Sequence, residues 1–161
     1  RLSLDPGTAH PRLALSEDLR QVRWAEAWQQ PSGGRSPKRF DSSRCVLTRE
    51  GFRSGRHYWE VLVQGTPPGV AWALGVAKES VGRKGRLRVN PQVGIWALGR
   101  CGDLCQALTC PSSSLPLPAP PEEVGILLDC QAGQVHFYDA PRGVLIFSSP
   151  PESFRGEKMF P

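Results

Sequence analysis

The chain has 161 residues, of which 39% are apolar and 22% charged, with a net charge of +5. That length suits one domain with a real core, and the charged fraction, close to the globular average, excludes a wholly disordered chain. Gly and Pro number 17 and 16, too many for a protein of long helices, and the mild basicity admits an acidic partner without implying nucleic acid.

In chain order, "RLALS" and "QVRW" flank the turn residues Ser16, Glu17 and Asp18 and read as a hairpin. "WAEAWQQ" (24–30) is the best helical candidate, too short to stand alone. "QQPSGGRSPKR" (29–39) is a basic, turn-rich loop. In "HYWEVLV", Trp59, Val61 and Val63 fall on one face and Tyr58, Glu60 and Leu62 on the other. In "VAWALGV", Val70, Trp72, Leu74 and Val76 share a face opposite two alanines. A basic turn-like stretch, "GRKGRLRVNPQ" (82–92), precedes the strand "VGIWAL" (93–98).

"CPSSSLPLPAPPEE" (110–123) reads as an edge segment or connecting loop, since proline is barred from central strands. "VGILLD" (124–129) and "QVHFYD" (134–139) flank a turn ending in Gly133, which can take the positive φ of a bulged hairpin. "GVLIFSS" (143–149) adds a last strand. Strands this short and this regularly spaced predict an all-β, two-layer antiparallel β-sandwich with little helix.

Catalytic signatures are missing from the sequence. No G-x-S-x-G elbow, Walker loop or G-x-G-x-x-G is present. A Ser-His-Asp arrangement around His10, His57 or His136 stays open, because such residues meet only in space. The five cysteines are odd in number, and Cys101, Cys105 and Cys110 lack zinc spacing, so they read first as buried or idle thiols in a reducing compartment, with a disulfide or a metal role as lesser alternatives. A nucleic-acid surface would need Arg83, Lys84, Arg86 and Arg88 interleaved with exposed aromatics. The aromatics fall at core spacing instead, so a solvated basic loop is the simpler account. No apolar run reaches the roughly 18 residues of a membrane-spanning helix. The opening "RLSLDPG" reads as a start inside a longer protein.

These motifs resemble one family. "LDPGTAHPRLALSEDLRQVRW" (4–24) looks like the PRY segment. "RFDSSRCVLTREGFRSGRHYWEV" (39–61), "WALGVAKESVGRKG" (72–85), "GIWAL" (94–98) and "VGILLDCQAGQVHFYD" (124–139) are similar to the SPRY motifs in their order. The chain is thereby identified as similar to the PRY-SPRY domains of tripartite-motif proteins and butyrophilins, with PRY over about 1–48 and SPRY over about 49–161. The resemblance implies a bent sandwich and a cofactor-free binding module rather than an enzyme. It implies a cytoplasmic setting, either as the C-terminal target-recruiting domain of a RING-type ubiquitin ligase or as the cytosolic ligand-sensing tail of a butyrophilin-like receptor. Any dimer would come from a coiled coil outside this chain, and the domain itself would not touch membrane. Relatives continue beyond the position of "GEKMFP" with a closing strand that this chain does not show. Within the family motif, "GRHYWEV" (55–61) is scaffold.

The family's ligand surface is a shallow concavity built by loops. Mapped here, the loops are Pro31 to Lys38 with "RFDSSR", Gly82 to Gln92, Gly99 to Cys105, and Ala140 to Gly143. Ala73, Gly99, Cys101 and Cys105 stand where some relatives carry larger or aromatic residues, which removes the usual interface anchors. The polar remainder is Arg39, Asp41, Ser42, Ser43, Arg44, Arg86, Arg88, Arg100 and Gln106, an arginine-rich set suited to a carboxylate or phosphate. The expected partner is therefore a protein or peptide that is acidic or offers a free C-terminus.

Overall fold

The computed structural model describes residues 1–29, 36–63 and 70–161. The strands are β1 (Leu13–Leu15), β2 (Val22–Trp24), β3 (Arg56–Leu62), β4 (Trp72–Lys78), β5 (Ile95–Cys101), β6 (Leu104–Ala107), β7 (Ser113–Ser114), β8 (Glu123–Asp129), β9 (Gln134–Asp139), β10 (Val144–Ser148) and β11 (Met159–Phe160). The only helical element among the described residues is a 3-10 turn over Pro91–Val93. The chain divides into two compact units. One comprises 1–51, 80–88 and 160–161; the other comprises 52–79 and 89–159.

In the first unit, β1 and β2 form the expected antiparallel hairpin, with Leu13 opposite Trp24 and Leu15 opposite Val22. The "DPGTAHP" turn is pinned to the segment 40–47. Asp5 N–H donates to the Leu47 carbonyl at 2.8 Å and Phe40 N–H to the Thr8 carbonyl at 3.0 Å. The buried Thr8 hydroxyl donates to the Asp5 carbonyl at 2.8 Å and accepts from Leu47 N–H at 3.0 Å. Residues 24–29 are not helical. Ala25 N–H donates to the Arg12 carbonyl and Gln29 N–H to the Pro11 carbonyl, so this stretch pairs across the hairpin. A segment that short cannot offset the cost of nucleating a helix when a neighbouring strand offers partners.

The second unit is a β-sandwich. One sheet runs β10-β9-β8-β3 and the other β11-β4-β5-β6-β7, and the strand pairings recorded in register are all antiparallel. The alternation seen in the sequence sets the layers. Val124, Ile126, Leu128, Val135 and Phe137 from one sheet meet Val76, Trp96, Leu98 and Cys105 from the other, closed by Phe154 and Met159. Trp59 and Val61 pack against this core, while Tyr58, Glu60 and Leu62 face outward.

Two boundaries move from the sequence expectation. Val93 and Gly94, expected in the strand, stay out of β5 because the Asn90 side chain accepts from Gln92 and Val93 N–H to form a 3-10 turn that Gly94 ends at φ 92°. The stretch Gly99 to Cys105, expected as a loop, is the β5–β6 hairpin. Cys101 pairs with Leu104 across a two-residue turn whose first residue, Gly102, has φ 62°. The proline-rich stretch contributes only the two-residue edge strand β7.

Candidate functional site

In "GRHYWEV", His57 Nε2–H donates to the Ser54 carbonyl at 2.7 Å, and the ring stacks on Phe52 with centroids 3.8 Å apart. Arg56 bridges Asp129 at 3.2 Å. Asp129 also accepts from Ala132 N–H, and that bond with the nearby Arg56 holds its carboxyl below the usual carboxylate range. The motif braces β3 against the β8–β9 turn. Tyr58 donates to Glu60 at 2.8 Å; partial burial and that bond push the phenol up to about 12.

Among the described residues one Ser-His side-chain pair occurs, His136 Nδ1 lying 2.7 Å from Ser148 Oγ, and no described carboxylate holds the other ring nitrogen to complete a triad. The five thiols are free. Burial pushes those of Cys45, Cys105 and Cys130 up, away from nucleophilic thiolate. Among the described residues no group of three or more His, Cys, Asp or Glu is placed to hold a metal ion.

In the first unit, the "RFDSSR" segment is zipped to the basic stretch 82–88. Asp41 N–H donates to the Arg83 carbonyl at 3.2 Å, Gly85 N–H to the Asp41 carboxylate at 2.8 Å, and Leu87 N–H to Ser43 Oγ at 2.9 Å. Lys84 Nζ donates to the Ser36 and Arg39 carbonyls, and Arg83 to the Lys38 carbonyl, its guanidinium lying 5.6 Å from the Phe40 ring. Asp41 and Ser43 therefore position a loop. Arg44 follows Ser43, and Arg86 and Arg88 flank Leu87; all three are exposed on either side of this hydrogen bond. Arg86 and Arg88 are exposed and make no hydrogen bond or ion pair among the described residues. Arg44 lies over Trp24, its guanidinium carbon 4.5 Å from the ring centroid. Ser42 is exposed beside them.

Arg39 is a correction to the expected surface set. It is 7% exposed, and its guanidinium donates to the Pro6 and Ala9 carbonyls, both at 2.8 Å. A buried guanidinium must find acceptors, and these carbonyls fasten the "DPGTAHP" turn from inside. Within the expected first loop, residues 31–35 lie outside the described residues.

In the second unit, Ala73, Gly99, Gln106 and Ser114 stand in register across β4, β5, β6 and β7, on the sheet face away from the core. Cys101 shares that face by alternation. The Leu108 side chain covers Gly99, which is buried, so Ala73, Cys101, Gln106 and Ser114 are the accessible positions of this face. Arg100 is opposite in sense. It pairs with Trp72 and Cys105 on the core-facing side, and its Nε donates to the Gly102 carbonyl at 2.9 Å. Gly99 and Arg100 therefore face opposite sides of β5 and cannot serve one contact surface. Cys105, read as a surface position, is buried for the same reason of period.

Sequence reasoning overlooked two exposed tryptophans, Trp24 and Trp28. The available signal was Trp in a short, turn-rich, arginine-containing stretch with no helical period. Beneath Trp28 lies the buried His10, its Nδ1 accepting from Arg12 N–H at 2.9 Å and its ring centroid 5.7 Å from that of Trp28. Burial, with Arg44 and Arg12 close by and opposed by Asp41, lowers the affinity of His10 for a proton below that of a solvated imidazole. The unfolded chain then binds a proton first as pH falls. Stability is full above pH 7 and drains as pH drops through about 6.5. Urea midpoints should fall between pH 7.5 and 5.5, and His10→Gln should flatten that slope; an unchanged slope would refute the assignment.

The SPRY domain model matches residues 56–161, and the model of PRY, the SPRY-associated domain, matches 2–52. The chain belongs to the PRY-SPRY family, whose SPRY domain is a non-catalytic protein-binding module. It is 45% identical to butyrophilin subfamily 1 member A1 of Mus musculus over 155 residues, covering 96% of this chain and 29% of that protein. It is 42% identical to the E3 ubiquitin-protein ligase TRIM58 of Mus musculus over 149 residues, covering 91% and 30%. The fold matches the crystal structure of the TRIM65 PSpry domain with a TM-score of 0.80 at 24% identity, covering 99% of this chain and 81% of that one. It also matches the stonustoxin structure with a TM-score of 0.78 at 23% identity, covering 99% of this chain and 24% of that one. The chain spans less than a third of the length of these curated relatives.

Proposed function

We propose that this domain recruits a partner protein by an acidic segment or free C-terminus held by Arg44, Arg86 and Arg88. The observation that carries this reading is that three cations stand exposed without a carboxylate partner among the described residues, while the backbone beside them is pinned. Pre-organised guanidinium groups grip carboxylates at little entropic cost. Ala73, Cys101 and Gln106, on the outer face of the five-stranded sheet, are proposed as a separate contact for a protein partner. In the whole protein we assign the domain to target selection by a cytosolic RING-type ubiquitin ligase of the tripartite-motif group, dimerised by a coiled coil elsewhere. The 42% identity to TRIM58 supports that setting. The 42–45% identity to butyrophilins supports a second setting, a ligand-sensing domain on the cytosolic side of a membrane receptor. Heptad repeats upstream of Arg1 would favour the first and an apolar span of about 20 residues the second.

The test is a titration of acidic and neutral peptide libraries at low and physiological salt. Acidic peptides should bind more tightly, with the preference shrinking as salt rises. Exposed charge pairs contribute up to about 1 kcal/mol each, so the Arg44/Arg86/Arg88 triple alanine variant should lose on the order of tenfold in affinity. Equal binding of acidic and neutral peptides would refute the reading.

A further inference from the structure

We propose that Trp24 and Trp28 form an aromatic shelf that anchors apolar side chains of that same acidic segment, supplying the interface anchors absent from the family's usual positions. The proposal rests on the reading that Arg44, Arg86 and Arg88 take an acidic partner. Tryptophan seldom stands open in a folded domain, yet Trp24 is 50% and Trp28 64% exposed. Val22, one strand residue pair before Trp24, is exposed as well.

Each indole carries a cation. The Arg44 guanidinium carbon lies 4.5 Å from the Trp24 ring centroid, and that of Arg12 lies 5.8 Å from the Trp28 centroid. A guanidinium lying over a ring can still offer terminal N–H groups to a carboxylate, as Arg12 can beyond the Nε it gives to the Ala25 carbonyl. A segment that alternates acidic with aliphatic or proline residues therefore finds a charge partner and an apolar partner at each indole. Trp and Arg are also the residues most enriched among the few that dominate interface energetics.

The shelf is rigid. Ala25, which follows Trp24 in the chain, is buried. Arg12 Nε donates to the Ala25 carbonyl at 3.0 Å, Ala25 N–H returns a bond to the Arg12 carbonyl at 2.9 Å, and Gln29 N–H donates to the Pro11 carbonyl at 2.7 Å. Little freedom is lost when a partner docks on groups already held. Charge selects the occupant. The first unit has 13 Lys or Arg against 6 Asp or Glu, a net +7, whereas the second has 7 against 9, a net −2. A partner seated on the shelf meets the positive part of the molecule, so it is an acidic protein segment.

The experiment is isothermal titration of the chain with a short peptide alternating Glu with Pro and Leu. It compares wild type, Trp24→Ala, Trp28→Ala, the Phe variants of both, and Arg86→Ala/Arg88→Ala. An all-Glu peptide is the second ligand. Each Trp→Ala change should weaken the mixed peptide on the order of tenfold while moving the all-Glu peptide little, and the Phe variants should restore most of the loss. Thermal melts identify any variant that has lost its fold, in which case the Phe variant decides. If the Trp variants bind the mixed peptide as wild type does while the arginine pair variant weakens, the shelf is refuted and the arginine reading stands. If no protein prefers acidic peptide, the arginine reading falls and takes the shelf with it. Two further results overturn the assigned occupant: Trp-dependent self-association by light scattering, which would make it a second copy, and tighter binding of a single-stranded oligonucleotide than of the peptide.

Discussion

Phe137→Ala is expected to destabilise the sandwich by about 3–5 kcal/mol. Phe137 is 1% exposed at the centre of β9, opposite Ile126 on one side and Phe147 on the other. Removing the ring forfeits the transfer free energy of a buried aromatic and leaves a cavity that two hydrogen-bonded sheets cannot close. A domain of this size has a total stability of about 5–15 kcal/mol, so the variant should be folded only marginally. Leu62→Ala, on an outward face with Leu62 65% exposed, is the control and should cost within about 0.5 kcal/mol. Urea unfolding of the two would check the layer assignment, and comparable losses would mean the faces of the four-stranded sheet are reversed.

The second large effect is expected at the β8–β9 turn. Gly133 has φ 68°, and a Cβ added there would run into the Glu152 carbonyl, whose own N–H donates to the Gly133 carbonyl at 3.0 Å. Gly133→Ala therefore combines left-handed backbone strain of about 1–2 kcal/mol with overpacking of about 1–3 kcal/mol. The expected loss is about 2–5 kcal/mol. Gly143, in the β9–β10 turn, has nearly the same φ, 65°, but open space around its would-be Cβ. Gly143→Ala should show only the strain, so the difference between the two variants measures the approach of the Glu152 backbone. Equal losses would show that this backbone yields freely.

The two glycines also show how far the reading of residues reached. Gly133 was legible as a turn glycine because two alternating strands flank it at hairpin spacing. That the Glu152 segment lies across it was not legible, since nothing local reports a contact between positions so far apart in the chain. The same holds at the candidate site. Arg44, Arg86 and Arg88 were marked as surface cations and are exposed, whereas Arg39, marked with them, turns inward to two carbonyls. Composition treats all four alike; only the acceptors around each decide which is buried. The Gly99 to Cys105 stretch, rich in glycine and polar residues, has the makeup of a loop but forms a two-residue hairpin, because β4 and β7 flank the strands on either side and supply their hydrogen bonds.

The amino-acid order by itself determined the β class, the hairpins of β1–β2 and β8–β9, the division of β3 and β4 into two faces, and the family. These follow from period-two alternation and from turn residues with restricted backbone angles, both of which act over a few neighbouring positions. Only the tertiary structure decided that Arg100 and Gly99 face opposite ways on β5, that Arg39 is a brace, and that Trp24 and Trp28 stand open under their arginines. The physical reason is that a side chain's burial is settled by what packs against it from elsewhere in the chain, and alternation names the two faces of a strand without saying which of them is covered.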